Sequence, residues 1–100
     1  MKTHEEYMEL ALEEARKAEE IDEVPVGCII VCDGEVISRG HNLKEQLNQA
    51  YAHAEMMAIQ KAAEVKGNWC LNDCDLYVTL EPCMMCTGII NLSRIRTVYY

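Results

Sequence analysis

Two short runs, His53-Ala54-Glu55 and Pro82-Cys83-Met84-Met85-Cys86, hold the residue types with the strongest chemistry in this chain. Two cysteines and a histidine are donors that zinc takes in tetrahedral geometry, and three protein ligands leave its fourth position for water or substrate. That count belongs to a catalytic zinc site. Cys83 and Cys86 stand three apart, so a helix starting at or just after Pro82 carries both sulfurs on its first turn, where the positive end of the helix favours thiolates. Proline suits such a start. His53 and Glu55 open a second helix, and their spacing of two sends the imidazole to the metal and the carboxylate beside it toward the open position. Glu55 then serves as a proton shuttle. It takes a proton from a water that zinc acidifies to near neutrality, which leaves the water fit to attack a substrate carbon, and returns the proton to the leaving group.

A lone C-x-x-C is common and is often redox-active or structural. H-x-E followed by P-C-x-x-C is far more specific, being the recognised signature of the zinc nucleobase deaminases. The resemblance then extends beyond that signature. Glu23-Val24-Pro25-Val26-Gly27, Gly40-His41-Asn42, His53-Ala54-Glu55, the run from Leu76 to Gly88 and Ser93-Arg94-Ile95 together resemble the bacterial tRNA-specific adenosine deaminases, from about residue 5 to the last residue.

The resemblance implies a cytidine-deaminase-like fold, a three-layer α/β/α arrangement with a mixed central sheet in strand order 2-1-3-4. It implies conversion of adenosine to inosine at the wobble position of a tRNA anticodon, a homodimer and one Zn2+ per subunit. His53, Cys83 and Cys86 would bind the metal, with Glu55 as the catalytic proton carrier. Asn42 would contact the target base, Ala54 would offer it a backbone N–H, and Val24 and Leu80 would line the pocket. Two departures accompany it. Family members often carry Asp-Pro-Thr just before H-A-E, where this chain reads Gln49-Ala50-Tyr51-Ala52. They also usually continue with a further strand and a C-terminal helix that helps grip the tRNA stem-loop, so residues 1–100 read as a single zinc-dependent deaminase domain that is short at its C-terminus.

Composition bounds the alternatives. One hundred residues, half of them hydrophobic, suffice for one domain with a modest core. No stretch is long and apolar enough to span a membrane, and the polar, acidic N-terminus shows no signal peptide, so a cytoplasmic protein is expected. Six cysteines in so short a chain raise the possibility of a secreted disulfide scaffold. The zinc spacing of Cys83 and Cys86 and the regular periodicity elsewhere argue against it. Cys28, Cys32, Cys70 and Cys74 read as reduced thiols. Cys28 and Cys32 share one face of a strand as small hydrophobes, while Cys70 and Cys74, near a loop, lack enough neighbouring ligands for a second metal site.

A net charge of −8 is opposite to the basic footprint of a nucleic-acid binder. Much of it is local. Glu5, Glu6, Glu9, Glu13, Glu14, Glu19, Glu20, Asp22 and Glu23 crowd the first helix and its exit, which reads as a solvated face, and a neutral or basic face remains open around Lys44, Arg94 and Arg96.

The elements that position the site alternate as in an α/β fold. Thr3 and Glu6 form a capping box, and Met8, Ala11, Leu12, Ala15 and Ala18 repeat at helical spacing, predicting a helix over residues 4–19 whose apolar stripe faces the core. The apolar run 26–32 reads as a buried strand, and Asp33-Gly34 turns it into an antiparallel partner over 35–39. Residues 41–51 are polar and irregular and deliver Asn42. A ligand-bearing helix is expected over 52–66, with Met56, Ile59 and Ala63 on its apolar stripe and Gly67 as its C-terminal cap. A third strand over 75–80, a second ligand helix over 82–91 and a fourth strand over 96–100 follow, with a parallel crossover between the last two strands. Val98, Tyr99 and Tyr100 then lie at a sheet edge that either a partner covers or a longer chain continues.

The remaining candidates have plain readings. His41 is read as loop structure beside Asn42 rather than a fourth ligand, and His4 as an exposed helix residue. Tyr51 and Trp69 are each either a base-stacking platform or packing, and Glu81 a partner for loop N–H groups. Three functions survive: tRNA adenosine deamination, deamination of a free base or nucleotide such as guanine, cytosine or a cytidine nucleotide, and an inactive zinc-stabilised fragment that merely dimerises. A basic groove beside the zinc favours the first, a closed pocket the second.

Overall fold

The computed structural model describes residues 2–100. The elements run α1 (His4–Glu20), β1 (Gly27–Cys32), β2 (Glu35–His41), α2 (Lys44–Leu47), α3 (Ala54–Lys66), β3 (Cys74–Val78), α4 (Met84–Leu92) and β4 (Thr97–Tyr99). The sheet order is β2-β1-β3-β4, with β1 antiparallel to both neighbours and β3 parallel to β4. This is the mixed sheet and the strand order that the resemblance implies. No described helix is long and apolar enough to cross a membrane.

The period-2 alternation of β1 divides the core into the two halves of a three-layer fold. Cys28 and Ile30 join Ala54, Ala58, Ala62 and Ile90 in the cluster under α3 and α4. Ile29 and Val31 face the other way and pack with Tyr7, Ala11 and Tyr77 under α1. Both ligand-bearing helices therefore lie on one side of the sheet.

Local signals account for most boundaries. Thr3 and Glu6 form the expected reciprocal capping box at the start of α1. Asp33 and Gly34 both take positive φ, 51° and 80°, as a type I′ hairpin requires. A register shift between Ile30 and Val31 marks an irregularity in the same β1–β2 ladder. Gly67 ends α3 in the left-handed conformation.

Several expectations need correction. The core face of α1 is Tyr7, Ala11, Ala15 and Ala18, while Leu12 is 38% exposed; a stripe drawn through Leu12 is rotated relative to the face that meets the sheet. Glu14 and Glu23 are buried rather than solvated. Residues 41–51 contain the one-turn helix α2, too short to show a period. Ala52 lies before α3 but is fully buried, so its apolar character reflects packing outside the helix. The third strand ends at Val78 and the fourth helix begins at Met84. His4 is exposed as expected, yet its Nδ1 lies 2.6 Å from Tyr77 Oη, and Tyr77 stacks on Tyr99 with ring centroids 4.6 Å apart.

Two glycines set the spacing between layers. A Cβ on Gly27 would fall 2.0 Å from the Ala11 carbonyl oxygen of α1, and one on Gly40 would fall 2.6 Å from that of Ala54 and 2.7 Å from the Ala58 amide in α3. In both cases the obstacle is helix backbone, which cannot rotate away. Gly40→Ala must therefore push the first turn of α3, and with it His53 and Glu55, off the sheet. The expected result is a loss of about 1–3 kcal/mol in urea unfolding, the usual range for overpacking, together with reduced zinc content. Unchanged stability and zinc binding would show that α3 is not seated on Gly40.

Candidate metal centre and adjoining cavity

The polypeptide delivers the ligands from the starts of two helices. His53 is the N-cap of α3 and Cys83 the N-cap of α4, and Cys86 follows on the first turn of α4. His53 Nδ1 lies 3.6 Å from Cys83 Sγ and 3.6 Å from Cys86 Sγ. Bond lengths of about 2.0–2.1 Å for Zn–N and 2.3 Å for Zn–S give a tetrahedral N···S edge of roughly 3.6 Å. The donors thus stand at the separations a tetrahedral zinc needs, with Nδ1 as the nitrogen facing both sulfurs, and the residues fit the group. Cys86 is fully buried and Cys83 exposed, so one side of the centre is embedded and the other opens outward.

The helix end does not by itself make Cys86 a thiolate. Burial first, then the charge of nearby Glu55, pushes its thiol well above the ordinary range. A coordinated cation reverses that preference, because a ligating thiol is deprotonated outright.

Beside the three donors lies a cavity of about 230 Å³ lined by Val24, Val26, Asn42, Lys44, His53, Ala54, Glu55, Leu80, Glu81 and Cys83. Every site residue expected from the sequence reaches this wall except Cys86, which sits behind it. Glu55 is 4% exposed and Asn42 7%, so both are held in the wall. Val24 and Leu80, each 59% exposed, form the rim. The mouth is open.

Asn42 is oriented by its own backbone. Its Oδ1 accepts the Lys44 N–H at 3.1 Å, an Asx turn that needs only an asparagine two residues ahead of a free amide. Its side-chain NH2 therefore remains available to a substrate acceptor. Its main chain is held too, since the Asn42 N–H donates to the Val26 carbonyl at 3.2 Å.

Two carboxylates expected on a solvated face, Glu14 and Glu23, are buried and tie neighbouring segments together. Glu23 accepts the Glu45 N–H at 3.1 Å and the Gln46 N–H at 2.7 Å, capping α2 and tying the Val24 segment to the chain that follows Asn42. Glu14 accepts from Lys17 Nζ at 2.7 Å and lies 3.1 Å from His41 Nδ1. Burial raises the Glu14 carboxyl, but the hydrogen bonds from Lys17 and His41 outweigh it and hold the group below its usual range. His41 is accordingly a structural partner of α1 and no fourth ligand. Of the cations proposed for a basic face, Lys44 borders the cavity, whereas Arg96 is occupied by both oxygens of Asp75 at 2.9 Å. Tyr51 and Trp69 are exposed, at 47% and 64%, and neither borders the cavity.

A sheet flanked by two helices whose starts bring one histidine and two cysteines together, beside a cavity lined by a buried carboxylate, gives the arrangement of a zinc-binding site. The family described as the cytidine and deoxycytidylate deaminase zinc-binding region matches residues 1–100, and the chain belongs to that family. Among similar curated proteins, the tRNA-specific adenosine deaminase of Streptococcus pyogenes serotype M18 is 55% identical over 94 residues, covering 94% of this chain and 59% of the relative. The protein of that name from Bacillus subtilis is 50% identical, covering 94% of this chain and 58% of its own. The chain thus spans a little under three fifths of the length of these relatives. Among solved structures, one from work on A-to-I editing by tRNA:A34 deaminases at the wobble position superposes with a TM-score of 0.94 at 52% identity, over 96% of this chain and 74% of that one. A guanine deaminase from Bacillus subtilis superposes with a TM-score of 0.96 at 39% identity, over 99% and 64%.

Proposed function

We propose that the chain carries the catalytic centre of a tRNA adenosine deaminase, converting adenosine to inosine at the wobble position of the anticodon. One observation supports the chemistry: Asn42, Ala54 and Glu55 line the same cavity as His53 and Cys83, with Cys86 3.6 Å from His53 Nδ1. The 55% identity to tRNA-specific adenosine deaminases supports the substrate, and so does the open mouth, which suits a base flipped out of a nucleic-acid loop.

In this reading His53 Nδ1, Cys83 and Cys86 hold one zinc ion per chain. Zinc, when bound, supplies Lewis acidity that activates water near neutral pH. The side-chain NH2 of Asn42 donates to the purine and the Ala54 N–H at the α3 terminus offers it a second hydrogen bond, orienting the base beside Glu55. Val24 and Leu80 hold the ring by apolar contact at the rim. Glu55, enclosed by the wall, takes the proton from the attacking water and passes it to the departing amine. The partner is the anticodon stem-loop, whose phosphates Lys44 meets at the cavity edge. A cytoplasmic setting follows from that substrate.

A homodimer belongs to the same proposal. Met84, Met85 and Leu92 on α4 are 92%, 38% and 70% exposed. Apolar exposure of that kind on one helix suits burial against a second copy.

The second reading, deamination of a free purine, is favoured by the superposition on guanine deaminase and by the net charge of −8. Ammonia release separates the two. The zinc-loaded chain is assayed with an anticodon stem-loop carrying wobble adenosine, and in parallel with guanine, cytosine, cytidine and deoxycytidylate. Turnover of the stem-loop alone is the expected result. Turnover of a free base or nucleotide alone would move the activity to that substrate, and silence on all of them would identify residues 1–100 as an incomplete catalytic unit.

A further inference from the structure

At the far end of β1 from the cavity, roughly 16 Å along the strand, a second group of soft donors assembles. Cys32 and Cys74 are direct partners in the antiparallel β1–β3 ladder. The Cys74 N–H donates to the Leu71 carbonyl and its carbonyl accepts from Arg96, so Cys74 does not exchange hydrogen bonds with Cys32. Such a non-hydrogen-bonded pair brings its two side chains closest together. Asp73 completes the group. Cys32 Sγ lies 3.3 Å from Asp73 Oδ2 and Cys74 Sγ 3.4 Å from Asp73 Oδ1, and one donor atom from each of the three residues falls within 4.8 Å of the others. Lys66 stands outside them, hydrogen-bonded to Asp73 Oδ2 and 3.6 Å from Cys32 Sγ.

We propose that Cys32, Asp73 and Cys74 form a second site for a thiophilic divalent cation such as Zn2+ or Cd2+, independent of the deaminase centre. A tetrahedral zinc held by sulfur and carboxylate oxygen has an S···O edge of roughly 3.5 Å, and each sulfur lies near that separation from one of the two Asp73 oxygens, Cys32 from Oδ2 and Cys74 from Oδ1. The charge balance is equally favourable. Two neutral thiols, one carboxylate and one ammonium sum to zero, and exchanging the two thiol protons for one divalent cation leaves the sum at zero. The cluster therefore accepts the ion without a new uncompensated charge in a half-buried site. Lys66 remains as a hydrogen-bond donor to the ligating carboxylate, the outer-shell partner that fixes a ligand's orientation. The Asp73 side chain is 42% exposed, which provides an entry path and room for water in the fourth position.

The test is metal stoichiometry on the reduced chain, dialysed against Zn2+ and analysed by elemental mass spectrometry, with Cd2+ titration followed by thiolate charge-transfer absorption. Two ions per chain are expected. Cys32→Ser combined with Cys74→Ser should leave one. Asp73→Asn, which keeps the side chain's size at a half-exposed position, should weaken the second ion by at least the roughly tenfold that losing an outer-shell partner costs. A variant carrying His53→Ala, Cys83→Ser and Cys86→Ser should still bind one Cd2+ with thiolate absorption. A single ion in the unsubstituted chain would overturn the proposal, as would a second ion that survives loss of both Cys32 and Cys74. Failure here would leave the deaminase reading untouched, because neither cysteine borders the cavity.

Discussion

Replacing Glu55 with Gln is expected to leave the zinc content of the chain unchanged and to lower turnover by roughly 10²–10⁴-fold, the usual contribution of a positioned proton carrier. The substitution conserves shape at a buried position, so packing of the α3 start is preserved. What is lost is a carboxylate able to accept and return a proton beside the reacting carbon. A structural role predicts the opposite pattern, with lower stability and largely intact kcat. Zinc content, urea unfolding and kcat measured on the same preparation separate these cases. Appreciable activity in the Gln variant would remove Glu55 from the chemistry.

Cys86→Ser should produce the largest loss of metal and of stability together. The thiol is fully buried, and its loss leaves two of three donors. When free zinc stands at 100 to 1,000 times the dissociation constant, binding stabilises the folded state by roughly 3–4 kcal/mol. A variant that no longer binds forfeits that amount. The informative comparison is with a chelator. Removing zinc from the unsubstituted chain should lower its melting temperature to near that of the chelated Cys86→Ser variant, while the variant itself should shift only by what an ion at Cys32, Asp73 and Cys74 contributes. A variant with unchanged zinc stoichiometry would take Cys86 out of the ligand set.

The donors were legible in the sequence because their geometry is local. Cys83 and Cys86 are three residues apart on one helix start, and His53 and Glu55 two apart on another, so spacing alone orients each pair. The hairpin at Asp33-Gly34 and the cap at Gly67 were readable for the same reason: each needs only one or two residues in a restricted backbone conformation. Binary pattern marked the strands, but their order in the sheet came only from the resemblance. The burial of Glu14 and Glu23 was not readable. A glutamate in an acidic run looks solvated unless its partners are known, and His41, the Glu45 amide and the Gln46 amide all come from more than twenty residues away. The pairing of Cys32 with Cys74 was hidden for a related reason. Their separation of forty-two positions says nothing about proximity until the β1–β3 register is fixed, and one residue of slip would send one thiol to the other face.

Neither N-cap position of the two ligand-bearing helices is spent on capping. His53 and Cys83 occupy those positions in extended conformation, yet neither side chain accepts a hydrogen bond from its helix, where Ser, Thr, Asp or Asn would contribute about 1 kcal/mol. The polypeptide thus leaves two helix ends without a side-chain cap near one another, where a shared ion would join them. Occupancy of the centre becomes a property of backbone order as well as of chemistry. Amide exchange in the opening turns of α3 and α4 should slow together when the ion is present and quicken together when it leaves, while α1, closed by Thr3 and Glu6, keeps its own rate.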